Sequence, residues 1–273
     1  MIAQYFEKIN ILDFFLPKYG IIQHKLRGSR LPKSKFGKKP MNCQNLYSIV
    51  ISAKNEEQTI REVLSAAKTM TQELIVVDGH STDNTVAIAK EYGALLIQDN
   101  GLGKGDAIRI GIKAVTSPIT VFIDADGSHS PEDIQRLVEP IIKNEADLVM
   151  GSRMLGGSEE LFGSIPEVIR LMGSLVITLS INYRFGVRFT DYQNGFRAIR
   201  TKVGQTINLT SNITTIEQEM AIKCLRCGYR VTEIPTHEYR RKGGKSKINV
   251  MKVAHIYIWN LISELIRPRN TRI

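Results

Sequence analysis

Apolar runs alternate with helix-periodic segments along the chain from Tyr47 to Arg153. Five short runs rich in aliphatic and β-branched residues predict strands: "YSIVISA", "ELIVVDG", "ALLIQ", "ITVFIDAD" and "ADLVMGS". Between them, segments such as "EEQTIREVLSAAKTM" and "KGDAIRIGIKAV" place apolar residues at helical spacing. Strands that alternate with helices in this way predict βαβ units and a mostly parallel sheet flanked by helices, a Rossmann-like α/β fold.

Punctuating residues predict where two of these helices begin and end. In "STDNTVAIAKEYG", Ser81 or Thr82 is suited to cap the start of a helix, and Gly93 is suited to end it. In "SPEDIQRLVEPIIKN", Pro131 is expected at the first helical position.

Polar residues gather where the predicted strands end. These clusters are Asn55-Glu56-Glu57, Asp78-Gly79, Asp124-x-Asp126 and Gly151-Ser152-Arg153. In parallel sheets the carboxyl ends of the strands share one edge, and ligands bind just beyond it. The pattern therefore predicts a ligand-binding site at that edge of the sheet.

The pattern changes after Arg153. The loop-like "GGSEELFGSIP" is followed by thirteen uncharged residues, Leu171 to Tyr183, which are too few to span a bilayer as a helix. They suit a core helix or one that lies in a membrane interface. "VMKVAHIYIWNLISELIRPR" near the C-terminus is apolar at helical spacing and also carries charge, so we expect an amphipathic helix.

The formal net charge is +10, and much of the excess lies near the N-terminus. Eight lysines and arginines fall between Lys18 and Lys39, whereas no Asp or Glu occurs from Phe14 to Asn55. Such a segment suits an anionic surface such as lipid headgroups or nucleic acid, or is a solvated tail. We therefore expect a basic arm over residues 1–46, an α/β domain over 47–248 and an amphipathic helix over 249–273.

The pair Asp124 and Asp126 is the first candidate for chemistry. Alternate side chains of an extended backbone share a face, so both carboxylates are able to converge on one ligand. A small number of oxygen ligands from the protein is typical of a Mg²⁺ or Mn²⁺ ion that is also bound by a substrate diphosphate. The alternative is an Asx turn that caps the helix at Pro131.

Two other local patterns have structural explanations. The glycines of "DNGLGKGDAIRIG" match neither a P-loop nor a dinucleotide-binding fingerprint, and the run is also explained as a strand-to-helix turn. Cys224 and Cys227 are two residues apart in a helical segment without a second ligand pair, so we expect packing rather than zinc or redox chemistry, in a reducing compartment.

Five segments together identify a protein family more specifically than any one of them does alone. "VISAKNEEQTI", "LIVVDGHSTDNT", "GLGKGDAIRIG", "VFIDADGSHSP" and "LVMGSRM" occur here in an order and spacing that resembles the inverting family 2 glycosyltransferases with the GT-A fold. "FTDYQNGFRAI" and "VTEIPTHEYRRKGGKSKI" resemble the dolichol-phosphate mannose synthase-like branch, which loads sugars onto polyprenyl or dolichyl phosphate. The resemblance extends from Tyr47 into the 240s.

The resemblance implies roles for the residues of the donor site. Base and ribose would be held by Ala53, Asn55, Glu57 and Asp78. Lys104 would meet the diphosphate or the sugar, Asp124 would lie near the sugar or the metal, and Asp126 would ligate the Mg²⁺ or Mn²⁺. Lys245 and Ser246 would belong to a loop that closes over the diphosphate.

The resemblance also implies an acceptor site. Arg153, Arg170 and Ser174 would hold the phosphate of the lipid, and Arg170 and Ser174 are one helical turn apart. An acceptor phosphate is already anionic and needs no strong base, whereas a sugar hydroxyl needs a carboxylate base, for which Glu217 and Asp191 are the candidates. The sequence leaves both acceptors open.

The expected protein is a metal-dependent hexosyltransferase that uses a UDP- or GDP-hexose and a polyprenyl phosphate. We expect it on the cytoplasmic face of an anionic membrane, docked peripherally or through a membrane-protein partner or homo-oligomer, and no nucleic acid is expected. One alternative is an enzyme of the same fold that acts on a saccharide hydroxyl. Another is a non-catalytic anion-binding protein, against which the intact aspartate pair argues.

Overall fold

A seven-stranded sheet is the centre of the computed structural model, which describes residues 46–161, 165–241 and 250–268. Its strands are β1 (Tyr47–Ala53), β2 (Glu73–Asp78), β3 (Leu95–Gln98), β4 (Ile119–Asp124), β5 (Leu148–Ser152), β6 (Arg197–Arg200) and β7 (Val231–Pro235). Their order is β3-β2-β1-β4-β6-β5-β7. All neighbouring pairs are parallel except those of β6, which runs antiparallel to β4 and β5. The predicted α/β fold with a mostly parallel sheet is confirmed.

Helices cover both faces of the sheet. They are α1 (Ile60–Met70), α2 (Thr85–Glu91), α3 (Lys104–Ala114), α4 (Ile134–Ile142), α5 (Arg153–Gly156), α6 (Ile165–Phe185), α7 (Thr201–Thr206), α8 (Ile216–Arg226) and α9 (Val250–Leu265). Ile49 and Ile51 of β1 pack into the core on the side of α1 and α4. Val50 between them packs on the side of α3 and α8. Burial on both faces explains why the central strands β1, β2 and β4 are mostly apolar on both faces.

Two helix starts differ from the predicted ones. Helix α2 begins at Thr85 rather than after Ser81 or Thr82, because both of those residues bond to Asn55 in the neighbouring loop. Pro131 begins a short 3₁₀ turn, and the α-helix proper starts at Ile134.

Helices α6 and α9 pack against each other and leave large apolar side chains exposed. We call these residues the apolar face: Val168, Ile169, Met172, Leu175, Val176, Leu179 and Tyr183 on α6, with Ile256, Ile258, Trp259, Ile262 and Ile266 on or just after α9. Helix α6 has 21 residues and extends beyond the thirteen uncharged residues of the sequence. Within the described ranges, no helix combines the length and the apolar character needed to cross a bilayer.

Several predictions concern residues outside the described ranges. The basic arm over residues 1–46 lies there except for Leu46, and so do Lys245 and Ser246. Of the two neighbouring cysteines, Cys224 is buried in the core on α8, and neither thiol is in a disulfide. Burial raises the pKa of the Cys224 thiol, as expected for a packing residue.

Candidate active site at the carboxyl edge of the sheet

A cleft of about 380 Å³ opens at the carboxyl ends of the central strands. Its wall includes Ala53 at the end of β1, Gly79 just after β2 and Asp124 at the end of β4. Asp126 and Arg241 also line it. The cleft therefore lies at the edge where the sequence predicts a ligand site.

Lys104 joins two carboxylates in this cleft. Its Nζ lies 2.7 Å from Asp124 Oδ1 and 3.0 Å from Glu217 Oε1. Burial would lower the pKa of Lys104, but the charges of Asp124 and Glu217 outweigh it and hold that pKa above its ordinary value. Burial likewise works to raise the pKa of Asp124, yet the charge of Lys104 brings it below the usual range. The Lys104 ammonium and the Asp124 carboxylate are thus charged at neutral pH.

Glycine makes room for this arrangement. A Cβ at Gly195 would lie 2.6 Å from Lys104 Nζ and 3.0 Å from Asp124 Oδ2. At the start of α3, a Cβ at Gly105 would lie 2.3 Å from the carbonyl oxygen of Ser211, and the Gly105 N–H donates to the Asn212 carbonyl at 2.8 Å. The glycine-rich run therefore allows close packing of the chain at a strand-to-helix turn, the alternative that the sequence left open.

Asp126 forms an Asx turn, although no side chain of the described residues caps the helical turn that begins at Pro131. Its Oδ1 accepts the N–H of Ser128 at 3.0 Å, which is an Asx turn. Its Oδ2 lies on the cleft side, 3.1 Å from Nη2 of Arg241. Asp124 and Asp126 supply carboxylate oxygens that fit Mg²⁺ or Mn²⁺, and both now face cationic side chains. Within the described ranges no third His, Cys, Asp or Glu joins them.

Three predicted donor-site residues accept hydrogen bonds from the loop after β2. Asn55 Oδ1 accepts the N–H of Thr82 at 2.7 Å, and Glu57 Oε2 accepts the N–H of Asn84 at 3.1 Å. Asp78, which is buried, accepts the N–H of Ser81 at 3.1 Å. The bonds of Asn55 and Glu57 join the loop after β1 to the loop after β2, whereas the bond of Asp78 lies within the turn after β2.

The same region supplies the wall of the cleft through other residues. Ala53, Lys54 and Glu56 line it, whereas Asn55, Glu57 and Asp78 do not. The roles predicted for these three residues thus stay predictions, and the geometry gives each of them a structural partner.

Arg153 and Asp191 form a buried ion pair. Arg153 Nε lies 2.6 Å and Nη2 3.0 Å from the two oxygens of Asp191, and Nη1 lies 3.2 Å from Glu238 Oε1. Burial would raise the pKa of Asp191, but the Arg153 guanidinium holds it below its ordinary value. The arginine fork predicted to hold a phosphate is occupied by two carboxylates in this structure.

The other two predicted acceptor residues lie on α6. Arg170 and Ser174 are one turn apart, both half-buried, and Arg170 Nη2 donates to the Glu160 carbonyl at 3.3 Å. Glu160 belongs to the loop between α5 and α6, and this loop also bonds to Glu238, because the Glu159 N–H donates to its carbonyl at 2.9 Å. The loop thereby connects Arg170 to the partner of Arg153.

The two candidate bases differ in their surroundings. Each oxygen of Asp191 accepts from Arg153 and from a backbone N–H. Glu217 is 1% exposed, its Oε1 pairs with Lys104, and its Oε2 has no hydrogen-bond partner among the described residues. Of the two carboxylates, Glu217 is the one with an oxygen left for a ligand.

Three residues of this region were not predicted from the sequence as part of the site. Arg241 stood in the basic run "RRKGGKSK", where no signal distinguishes it from its neighbours, and Glu238 gave no signal at all. His129 is buried and stacks on Phe196 with ring centroids 5.1 Å apart, and burial lowers its pKa, so it is neutral at pH 7. Its Nδ1 has no partner among the described residues. Its place in "DADGSHSP" was the one available hint.

Comparison with known proteins places this geometry in a family context. The family model described as "Glycosyl transferase family 2" matches residues 48–206. That stretch contains β2 to β6, all of β1 except Tyr47, and both aspartates of the cleft.

Two relatives come from Haloferax volcanii. Glycosyltransferase AglJ is 30% identical over 75% of this chain and 66% of its own length. A dolichyl-phosphate hexose transferase is 29% identical over 74% of this chain and 86% of its own length.

Among solved structures, glucosyl-3-phosphoglycerate synthase from Mycobacterium tuberculosis, in complex with Mn²⁺, UDP and phosphoglyceric acid, superposes with a TM-score of 0.64 at 22% identity. It covers 83% of this chain and 81% of the synthase. This likeness shows the GT-A fold.

Proposed function

The chain belongs to glycosyltransferase family 2, and from that premise we propose that it transfers a hexose from a nucleoside-diphosphate sugar to a polyprenyl phosphate such as dolichyl or undecaprenyl phosphate. The observation that carries the acceptor class is the state of the two candidate bases. Asp191 and Glu217 are both buried and ion-paired. An acceptor that is already anionic needs neither of them as a base. A dolichyl-phosphate hexose transferase among the relatives supports the same acceptor.

The proposed cofactor is Mg²⁺ or Mn²⁺. Asp124 and Asp126 would hold it, since their oxygens face the cleft and suit a hard divalent cation that retains diphosphate and water ligands. When bound, the ion supplies Lewis-acid stabilisation of the departing diphosphate. The related synthase crystallised with Mn²⁺ and UDP supports this assignment.

The donor would lie in the cleft with its diphosphate close to Lys104. Ala53 lines the cleft where the nucleoside is expected. Asn55 and Glu57 would support that end of the site through the two loops they join, and Asp78 through the turn after β2. Lys245 and Ser246, outside the described residues, would contribute from the loop that follows Arg241. The nucleotide is UDP or GDP.

In the proposed reaction, an oxygen of the lipid phosphate attacks the anomeric carbon on the face opposite the nucleotide. The bond from that carbon to the diphosphate oxygen breaks, which gives an inverted glycosyl phospholipid and the free nucleoside diphosphate. Lys104 places a positive charge beside Asp124 where negative charge develops on the leaving group. Arg170 and Ser174 would orient the acceptor phosphate, and Arg153 would do so only by sharing its fork with Asp191.

We place the protein at the cytoplasmic face of an anionic membrane. The apolar face of α6 and α9 suits the boundary between headgroups and acyl chains, and Trp259 is 72% exposed on it. The basic arm over residues 1–46 would add attraction to anionic lipids. A membrane-protein partner or a homo-oligomer would bind through the same exposed helices.

The test is sugar transfer from UDP-glucose, UDP-GlcNAc and GDP-mannose to a short polyprenyl phosphate. The assay is run with Mn²⁺ or Mg²⁺ and then with chelator, and the lipid product is identified by mass. We expect one donor to give a glycosyl phospholipid only when the metal is present. Metal-dependent donor hydrolysis without a lipid product would contradict the proposed polyprenyl phosphate acceptor but would support the proposed metal site.

A second candidate acceptor is a saccharide hydroxyl. Glu217 Oε2 favours it: among the described residues this buried oxygen has no partner, so it is able to accept a proton from a bound hydroxyl. In that case transfer to a sugar acceptor would require Glu217, whereas transfer to a phosphate would not.

A further inference from the structure

Arg241 stands between two carboxylates, one on the wall of the cleft and one on the loop between α5 and α6. Its Nη2 lies 3.1 Å from Asp126 Oδ2, and its Nε lies 3.5 Å from Glu160 Oε1. We propose that Arg241 competes with the divalent cation for Asp126, and that Glu160 receives the guanidinium when the cation binds. This inference rests on the metal site of the proposed function.

The competition follows from the oxygens that Asp126 has to offer. Its Oδ1 accepts the Ser128 N–H, so Oδ2 is the oxygen directed to the cleft, and Arg241 is already paired with it. A divalent ion at Oδ2 would be brought close to the guanidinium. Two like charges so close together disfavour each other, so the cation and Arg241 would exclude each other from this oxygen.

The second half of the inference follows from an unsatisfied donor. The Nε of Arg241 is shielded from solvent, and it has no hydrogen-bond partner among the described residues. Its 3.5 Å separation from Glu160 Oε1 is too long for a good hydrogen bond. A small shift of the guanidinium toward Glu160 would satisfy this donor, whereas the observed position beside Asp126 leaves it unsatisfied.

Glu160 is held in place to receive the guanidinium. Its N–H donates to Ser158 Oγ at 3.1 Å, and its carbonyl accepts from Arg170. Its Oε1 already accepts the backbone N–H of Arg241 at 3.0 Å. The backbones on both sides are therefore fixed relative to each other, and the exchange requires movement of the Arg241 side chain alone.

The first test measures Mn²⁺ binding to the nucleotide-free full-length protein. The free ion is quantified by electron paramagnetic resonance. Removing the competitor in R241Q is expected to tighten Mn²⁺ binding by about tenfold. R240Q makes the same change of charge on the exposed neighbouring side chain, and we expect it to alter the affinity by less than about twofold. Unfolding temperatures of both variants show that they are folded.

The second test asks whether Glu160 acts by binding the Arg241 guanidinium or only by its negative charge near the ion. E160Q is expected to weaken Mn²⁺ binding by about three- to tenfold, because Arg241 then remains on Asp126. E159Q is the matched control, since the Glu159 carboxylate is half-exposed and bonds the backbone of Arg240. In the double variant R241Q/E160Q the effect of E160Q should disappear, because no guanidinium is left to receive.

Three outcomes would overturn the inference. R241Q could bind Mn²⁺ no more tightly than R240Q, or E160Q could bind it as well as E159Q. An E160Q effect that persists undiminished in the R241Q background would mean that Glu160 acts by its charge on the ion directly. D126N separates this failure from that of the metal site: if D126N alone abolishes Mn²⁺ binding, the metal site stands even when Arg241 does not compete.

Discussion

Two carboxylates proposed for the same task have different surroundings in the folded chain. Asp191 is held by the Arg153 guanidinium and by backbone N–H groups, so its charge is compensated on both oxygens. Glu217 has one charged partner, Lys104, and a second oxygen without any partner among the described residues. A group that already accepts several hydrogen bonds in its charged form is a weak proton acceptor. Asp191 is therefore a structural anchor for Arg153.

The first prediction concerns E217Q. Transfer to a polyprenyl phosphate should fall by no more than about tenfold, because a phosphate acceptor requires no base. The rate is measured as glycosyl phospholipid formed at saturating donor. D126N is the control, and it should lose at least about a hundredfold if the proposed metal site is correct. A loss of several orders of magnitude in E217Q would instead assign Glu217 the role of a base.

The second prediction concerns Asp147, which binds two arginines at the opposite edge of the sheet. Its hydrogen bond from Arg230, together with bonds from Arg200, lowers the pKa of Asp147 to about 2. A carboxyl with a lowered pKa stabilises the fold above its unfolded-state pKa of about 3.9, and that contribution is lost as the pH falls toward 2. Asp147 should therefore matter at neutral pH and not in strong acid.

D147N tests this by urea unfolding over a series of pH values. At pH 7 the substitution should reduce the free energy of unfolding by about 1–2 kcal/mol. The difference from the wild type should shrink between about pH 5 and pH 2, where the wild-type carboxyl also becomes protonated. A difference that is constant over this range would show that Asp147 acts through shape rather than charge.

Among the secondary-structure elements, the spacing of apolar residues was sufficient to predict five strands and the helices between them. It did not indicate the place of β6 in the sheet, where this strand inserts antiparallel between β4 and β5. Arg197 in this strand is fully buried, and its guanidinium donates to the backbone carbonyls of Tyr192, Asn194 and Glu217. Because a buried arginine looks polar in the sequence, the central position of β6 depends on tertiary bonds that no local pattern contains.

The third prediction concerns the apolar face of α6 and α9. W259E should lower the fraction of protein that sediments with anionic vesicles by about tenfold, because it removes an interfacial aromatic side chain and adds a negative charge. L95E is the matched control, since Leu95 is 52% exposed on β3, away from these helices. The unfolding temperature of both variants should stay near that of the wild type. Equal sedimentation of the two variants would contradict the proposal that the apolar face contacts the membrane.

At the scale of the whole molecule, the fold and the family followed from segments whose order the chain preserves. The cleft, Lys104 and the aspartate pair lie together because strand ends of a parallel sheet share one edge, which the sequence alone implies. The pairing of Lys104 with Glu217, and of Arg241 with Asp126, joins residues far apart in the chain. Such pairs are decided by the packing of α3 against α8 and by loops of irregular backbone, and so they appear only in the structure.

A phosphate acceptor distinguishes the proposed reaction from transfer to a hydroxyl. The most direct measurement compares a short polyprenyl phosphate with the polyprenol of the same chain length, under identical donor, metal and detergent conditions, with the product identified by mass. We predict a metal-dependent glycosyl phospholipid from the phosphate and no product from the alcohol. Comparable product from the polyprenol, or transfer to a saccharide in preference to the lipid phosphate, would contradict it.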